Sequence, residues 1–158
     1  MTAAARVAAG GGGTAVIEPV PPGADARSRD MLRGRVLRET KQSAAVLGFE
    51  PAVRFIGAVD SSVSDDNGDH LIAALREALM NSAKHAQAAH VDVLVQIESS
   101  SVLLVVTDDG IGIPEQGMGR RSGVTNLMAR AVECGGTCEL ERVNAEGGTR
   151  LVWRVPLD

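Results

Sequence analysis

Two short stretches of this sequence carry side chains whose types and spacing point to chemistry: Glu77-Ala-Leu-Met-Asn81-Ser-Ala-Lys84-His85 and Asp108-Asp109-Gly110-Ile111-Gly112-Ile113-Pro114. The first reads as a helix. Successive helical residues are turned by about 100°, so relative to Glu77, Asn81 falls at about 40°, Lys84 at about −20° and His85 at about 80°. A carboxylate, an amide oxygen, an ammonium and an imidazole thus share one stripe. That set suits a metal nucleotide: an amide oxygen is a hard ligand for Mg²⁺, which keeps waters and takes few protein ligands. A nearby carboxylate can orient a water or act as a general base. Lys84 and His85 can face phosphate oxygens. The same stripe also reads as an ordinary solvated helix face.

The second stretch follows an apolar run, Leu103-Leu-Val-Val-Thr107, that has the pattern of a buried strand. Asp108 sits where that strand leaves the sheet. A carboxylate there can accept from the exocyclic amino group of adenine, where guanine presents a carbonyl, and a buried polar mismatch of that kind is strongly rejected. Gly110 and Gly112 let backbone approach a base closely, and Ile111 and Ile113 supply apolar walls. Asp-Gly is also common in plain turns.

Several elements must place these stretches. A helix is expected over 26–47, with Met31, Leu32, Val36, Leu37, Ala44 and Leu47 as its apolar face and Gly48 as its stop. A strand follows over 53–57, then a loop over 61–69. The helix with the polar stripe runs over 69–88, with Leu71, Ile72, Leu75, Leu79, Ala83 and Ala86 inward. Strands over 91–98 and 102–107 form a hairpin. After the loop 108–122 come a helix over 124–134 and strands over 137–143 and 149–156. The expected fold is α+β: a two-layer sandwich with three helices on one face of a mixed, largely antiparallel five-stranded sheet. Residues 1–25 are expected as a disordered or linker segment with a short strand over 14–20, and 26–158 as the folded domain.

Composition narrows the functional classes. At 158 residues, 44% hydrophobic and 23% charged, the chain is one globular domain with enough apolar residues for a core. A net charge of −4 without runs of like charge argues against a nucleic-acid surface. So does the scarcity of aromatics, which are Phe49, Phe55 and Trp153 alone. Cys134 and Cys138 lack two further ligands for zinc and are expected as reduced structural thiols. No apolar run is long enough for a membrane span or a signal peptide, so a cytoplasmic location is expected.

Taken together, E-x3-N-x2-K-H on a helix, D-x-G-x-G after a strand, and a glycine-bearing loop into a helix resemble the GHKL superfamily of Bergerat-fold ATPases. Within it the chain resembles the catalytic ATP-binding domain of sensor histidine kinases. The segments REALMNSAKHAQA and GVTNLMARAVECGG look like the nitrate- and oxygen-sensor class and are similar to actinobacterial GAF-containing dormancy sensor kinases. The resemblance covers 31–158. It implies Asn81 on Mg²⁺, Glu77 as the carboxylate of phosphotransfer, and Lys84 and His85 near the phosphates of ATP. It further implies Asp108 on adenine with Gly110 and Gly112 shaping the pocket, Gly123 bringing a helix N-terminus toward phosphate, and Thr149 supporting the adenine site through water.

Two departures stand out. The usual glycine-rich motif before the last helix ends G-x-G-L, whereas this chain has Arg121-Ser122-Gly123-Val124, and the lid over 115–122 is short. Arg120 and Arg121 are either phosphate ligands or solvated lid charges. The phosphoacceptor histidine of such kinases is normally followed by an acidic residue, but His70, His85 and His90 precede Leu71, Ala86 and Val91. The accepting histidine is therefore expected on a dimerisation domain, in the same parent protein or another chain, with a response regulator further on. A nucleotide-binding regulator without phosphotransfer and an anti-sigma-type serine kinase are the competing expectations.

Overall fold

The structure is a computed structural model that describes residues 5–9, 13–17, 31–112 and 122–158. The expectations for the 18–30 segment and for lid residues 113–121, including Ile113, Arg120 and Arg121, lie outside those residues. Ala5–Ala9 (β1) and Gly13–Ile17 (β2) pair antiparallel as a separate hairpin. From Met31 onward the elements are α1 (Leu32–Leu47), β3 (Ala52–Ile56), the single-turn α2 (Val59–Ser62) and α3 (Asp65–Asn81). They continue as β4 (Val91–Ile97), β5 (Ser101–Asp108), α4 (Ser122–Glu133), β6 (Thr137–Asn144) and β7 (Gly147–Pro156). A π-helical turn, Ser82–Ala86, extends α3.

Five strands form one sheet in the order β3-β4-β5-β7-β6, with β3 and β4 parallel and the other neighbours antiparallel. Alternation along the strands builds the core. Val93 and Val95 of β4, Val102, Leu104 and Val106 of β5, and Leu151, Trp153 and Val155 of β7 are buried in one cluster with Leu71, Leu75, Ala78 and Leu79 of α3, Val36 of α1 and Leu127 of α4. The architecture is the expected α+β sandwich.

Three details depart from the expected elements. Helix α3 begins at Asp65, inside the expected loop, because Ser64 caps it: its side chain accepts from the Asn67 N–H at 3.3 Å, and Asp65 and Asp66 lie in the positive first turn. Regular α-helix ends at Asn81 rather than near residue 88; the chain widens into the π turn and leaves through Gln87 in the left-handed region (φ 52°). Met31, the residue before α1, and Leu37 within it are exposed, and Glu39 and Thr40 of α1 take inward positions. Glu39 is tolerated there because Arg76 of α3 grips both its oxygens, Nε at 2.8 Å and the second nitrogen at 2.9 Å. That grip holds the Arg76 pKa above its ordinary value, the hydrogen bond first and the charge second.

The C-terminus is tied back to the start of α3 and to the β4–β5 turn. Asn67 Nδ2 donates to the Pro156 carbonyl at 3.1 Å, and the Leu157 N–H donates to the Ser100 carbonyl at 2.8 Å. These ties hold the free end of β7, and so help fix the register that carries Thr149 to the far end of the sheet.

Candidate nucleotide site

At one end of the sheet the pairing places Val91, Asp108, Thr149 and Arg142 side by side on four successive strands. Asp108, at the end of β5, is buried, and both carboxylate oxygens are engaged. Oδ1 accepts from the Gly110 N–H at 3.0 Å, and Oδ2 accepts from the Ser82 hydroxyl at 3.1 Å. A buried carboxylate held from two sides has a set direction, and its remaining lone pairs are those a ligand can use.

The loop after β5 packs closely against the β6–β7 turn, with glycines at the tightest points. Gly148 N–H donates to the Gly110 carbonyl at 2.7 Å. Gly112, Gly147 and Gly148 have φ of 80°, 142° and 78°. A Cβ on Gly147 would stand 2.5 Å from the Gly110 oxygen, and one on Gly112 would stand 3.3 Å from the Gly147 Cα. Two backbones therefore touch where side chains would hold them apart. Asp109 anchors the other flank, accepting from the Ala89 N–H at 2.8 Å, the His90 N–H at 2.9 Å and pairing with His90 Nδ1 at 3.1 Å. The His90 backbone bond, ahead of the Ala89 bond and the imidazole, holds its pKa below the usual carboxylate range. A cavity of about 460 Å³ opens at these strand ends, walled by His90, Asp92, Thr107, Asp108, Asp109, Val143, Asn144 and Glu146 and by the Gly110 and Gly147–Gly148 backbones. It reaches Asp108 from the strand side and takes no lining from α3, so it does not extend to Asn81.

The helical half is assembled by α3 and α4. Glu77 and Asn81 are half-buried, and Gly123, in the first turn of α4, lies against both. A Cβ on Gly123 would overlap Glu77 Oε1 and stand 3.3 Å from Asn81 Oδ1. The buried Val124, Leu127 and Ala131 seat α4, and Arg130 meets His70 Nδ1 of α3 at 3.4 Å. The amide oxygen of Asn81 thus stands beside a helix N-terminus. Among the described residues no group of three or more His, Cys, Asp and Glu could hold a metal. One amide oxygen completed by water and phosphate oxygens is nevertheless a coordination that Mg²⁺ accepts.

The structure brings Glu77, Asn81 and Gly123 together at one end, and Asp108, Gly110, Gly112 and Thr149 at the other. Lys84 is exposed on the π turn. The backbone of His85 is in the same turn, and its side chain lies outside the described part. Beyond Asn81 the wider turn advances each residue by less than 100°, so the angles derived for Lys84 and His85 do not carry past that point. Ile111 is exposed. Sequence reasoning missed Ser82, the residue that joins the two ends. Its only signal is a small polar residue in an apolar helical stretch, and such a serine commonly bonds its own helix backbone instead.

Comparison with known proteins follows the same residues. Residues 66–158 match the family described as histidine kinase-, DNA gyrase B-, and HSP90-like ATPase. Over 100 residues the chain is 34% identical to the sensor histidine kinase LiaS of Bacillus subtilis (strain 168), covering 62% of this chain and 27% of LiaS. It is 38% identical over 84 residues to the nitrate/nitrite sensor protein NarX of Escherichia coli (strain K12), covering 52% of this chain and 14% of NarX. Among solved structures, the ATP binding domain of PrrB from Mycobacterium tuberculosis has a TM-score of 0.64 at 24% identity, covering 81% of this chain and 95% of that one. The mycobacterial sensor histidine kinase MprB has a TM-score of 0.58 at 22% identity, covering 80% and 95%. At those identities the structural likeness is one of fold.

Proposed function

The chain belongs to the histidine kinase-, DNA gyrase B-, and HSP90-like ATPase family, and from that premise we propose that residues 26–158 are the catalytic ATP-binding part of a cytoplasmic sensor histidine kinase. In this reading it takes the γ-phosphoryl group of ATP to a histidine on a dimerisation domain outside this sequence, from which a response regulator is later phosphorylated. The observation that carries the reading is the hydrogen bond from Ser82, the residue after Asn81, to Asp108. It ties the helix end that carries Asn81 to the strand end that carries Asp108, so that one nucleotide could reach both side chains.

Asp108 accepts from the adenine amino group, Gly110 and Gly112 admit the base against backbone, and Thr149, the strand neighbour of Asp108, supports the same edge through water. Asn81 would hold Mg²⁺, which would supply charge neutralisation for the phosphates. Lys84, His85 and the first turn of α4 at Gly123 face the phosphates. The attacking imidazole nitrogen must be neutral. As the N–P bond forms and the bond to the β-phosphate oxygen breaks, the other ring nitrogen becomes acidic, and Glu77 takes its proton.

The test mixes this chain with a separate histidine-bearing dimerisation domain and γ-labelled ATP. Acid-labile label on the partner is the expected result. ATP binding without transfer would favour a regulator, and acid-stable label on serine an anti-sigma-type kinase.

A further inference from the structure

We propose that the face of the sheet turned away from the helices is a docking surface for a second copy of this chain. The cluster that joins helices to sheet takes Val93 and Val95 of β4, Val102, Leu104 and Val106 of β5, and Leu151, Trp153 and Val155 of β7. The alternate residues of the same strands point the other way. A largely antiparallel sheet with helices on one side normally leaves its second face polar. Here the centre of that face is apolar: Leu94 pairs with Val105, Val105 pairs with Val152, and Leu103 follows on β5. Leu94 and Val152 are half-buried. Leu103 and Val105, although 7% and 6% exposed, stand outside the cluster shared with the helices. An apolar centre inside a charged rim is the anatomy of a protein–protein contact.

The rim charges name the partner. The central row runs Arg54, Leu94, Val105, Val152, Glu139 across the five strands, and the next row runs Ala52, Asp92, Thr107, Arg150, Glu141. A two-fold axis laid along β5 between two such faces sets Arg54 over Glu139 of the second copy and Asp92 over Arg150 of the second copy, each twice. Leu94 then meets Val152, Val105 meets its own counterpart, and no like charges oppose each other in these rows. An axis across the strands would instead set Arg54 on Arg54 and Glu139 on Glu139. A patch that matches itself in this way is what an isologous dimer requires. Arg54, Asp92 and Glu139 have no ion-pair partner among the described residues. Arg150 holds Glu141 at 3.0 Å with both side chains exposed, so it can also reach Asp92. Twisted sheets pack at about 30° to each other, an offset that the long arginine side chains span. Five strands about 4.8 Å apart, with about five residues of each at about 3.3 Å, give roughly 400 Å² per copy, the size of a weak and reversible contact.

Sedimentation equilibrium of the wild-type chain from about 10 µM to about 1 mM is expected to show a reversible monomer–dimer equilibrium. Arg54→Glu and Glu139→Arg each turn two opposite-charge pairs into like-charge pairs, and each is expected to weaken the dimer about tenfold or more. The double variant exchanges the signs, rebuilds the pairs and is expected to regain the wild-type constant. Thermal unfolding checks that all three variants are folded. A wild-type chain that stays monomeric throughout would overturn the proposal and leave the face to a different partner. Single variants that associate as the wild type does, or a double variant no better than the singles, would overturn it as well.

Discussion

Replacing Gly123 with Ala probes the contact on which the helical half of the site depends. Gly123 has helical backbone, so Ala brings no conformational penalty and gains up to about 1 kcal/mol of helix propensity. Its Cβ, however, would occupy the position of Glu77 Oε1 and press on Asn81 Oδ1 at 3.3 Å. Oε1 is the far end of a flexible side chain, so the cheapest relief is for Glu77 to turn away, at a cost of about 0.5–1.5 kcal/mol. The two effects nearly cancel, and Gly123→Ala should unfold within about 1 kcal/mol of wild type. In a Glu77→Ala background only the 3.3 Å approach to Asn81 Oδ1 remains, and the same change should stabilise by most of the helical gain. The cycle of four proteins, measured by urea denaturation, should therefore show a coupling of about 0.5–1.5 kcal/mol. Phosphotransfer by Gly123→Ala should fall by about 10²–10⁴, the contribution of a general base, despite the unchanged stability. A coupling of zero would refute the contact, and undiminished phosphotransfer would refute the placement of Glu77.

Asp108→Asn puts a donor where the adenine amino group needs an acceptor, and ATP affinity in a calorimetric titration should drop by roughly 10- to 100-fold with GTP binding little changed. Asn81→Ala should abolish the part of ATP binding that depends on magnesium and spare the rest, as read by titration with and without the ion. The lowered pKa of Asp109 makes its contribution to stability present above the unfolded carboxylate value and lost as pH falls through the lower folded value. Asp109→Asn should flatten the acid limb of the stability–pH curve measured by denaturation below about pH 4.

Much of the fold was legible because periodicity and burial agree. The alternation Val91, Val93, Val95 and the helical spacing Leu71, Leu75, Leu79 each mark one inward face, and the structure buries all six. The ends of α3 were harder to read. Ser64 belongs to a polar run that composition assigns to a loop, yet its side chain starts the helix three residues ahead of Asn67. The π turn at Ser82–Ala86 has no local signature, because what accompanies it is tertiary: Ser82 on Asp108, and Asp109 on the backbone of Ala89 and His90. For the site, Glu77, Asn81 and Asp108 were visible as a spaced pattern. The partnership of Ser82 with Asp108 spans 26 residues and was not. On α1, charge and burial parted company: Glu39 lies inside because Arg76, on another helix, neutralises it.

The glycine seam at Gly110, Gly112, Gly147 and Gly148 has a pharmacological consequence. Its closeness is maintained by main-chain contact, including the 2.7 Å bond between Gly148 and Gly110, so this half of the receptor is shaped during folding rather than on occupancy. A ligand that docks there meets little reorganisation, and rigidity of that kind raises efficiency per atom. Small, uncharged purine mimics should therefore engage the seam without a triphosphate tail, which makes it a favourable starting point for fragment-sized inhibitors.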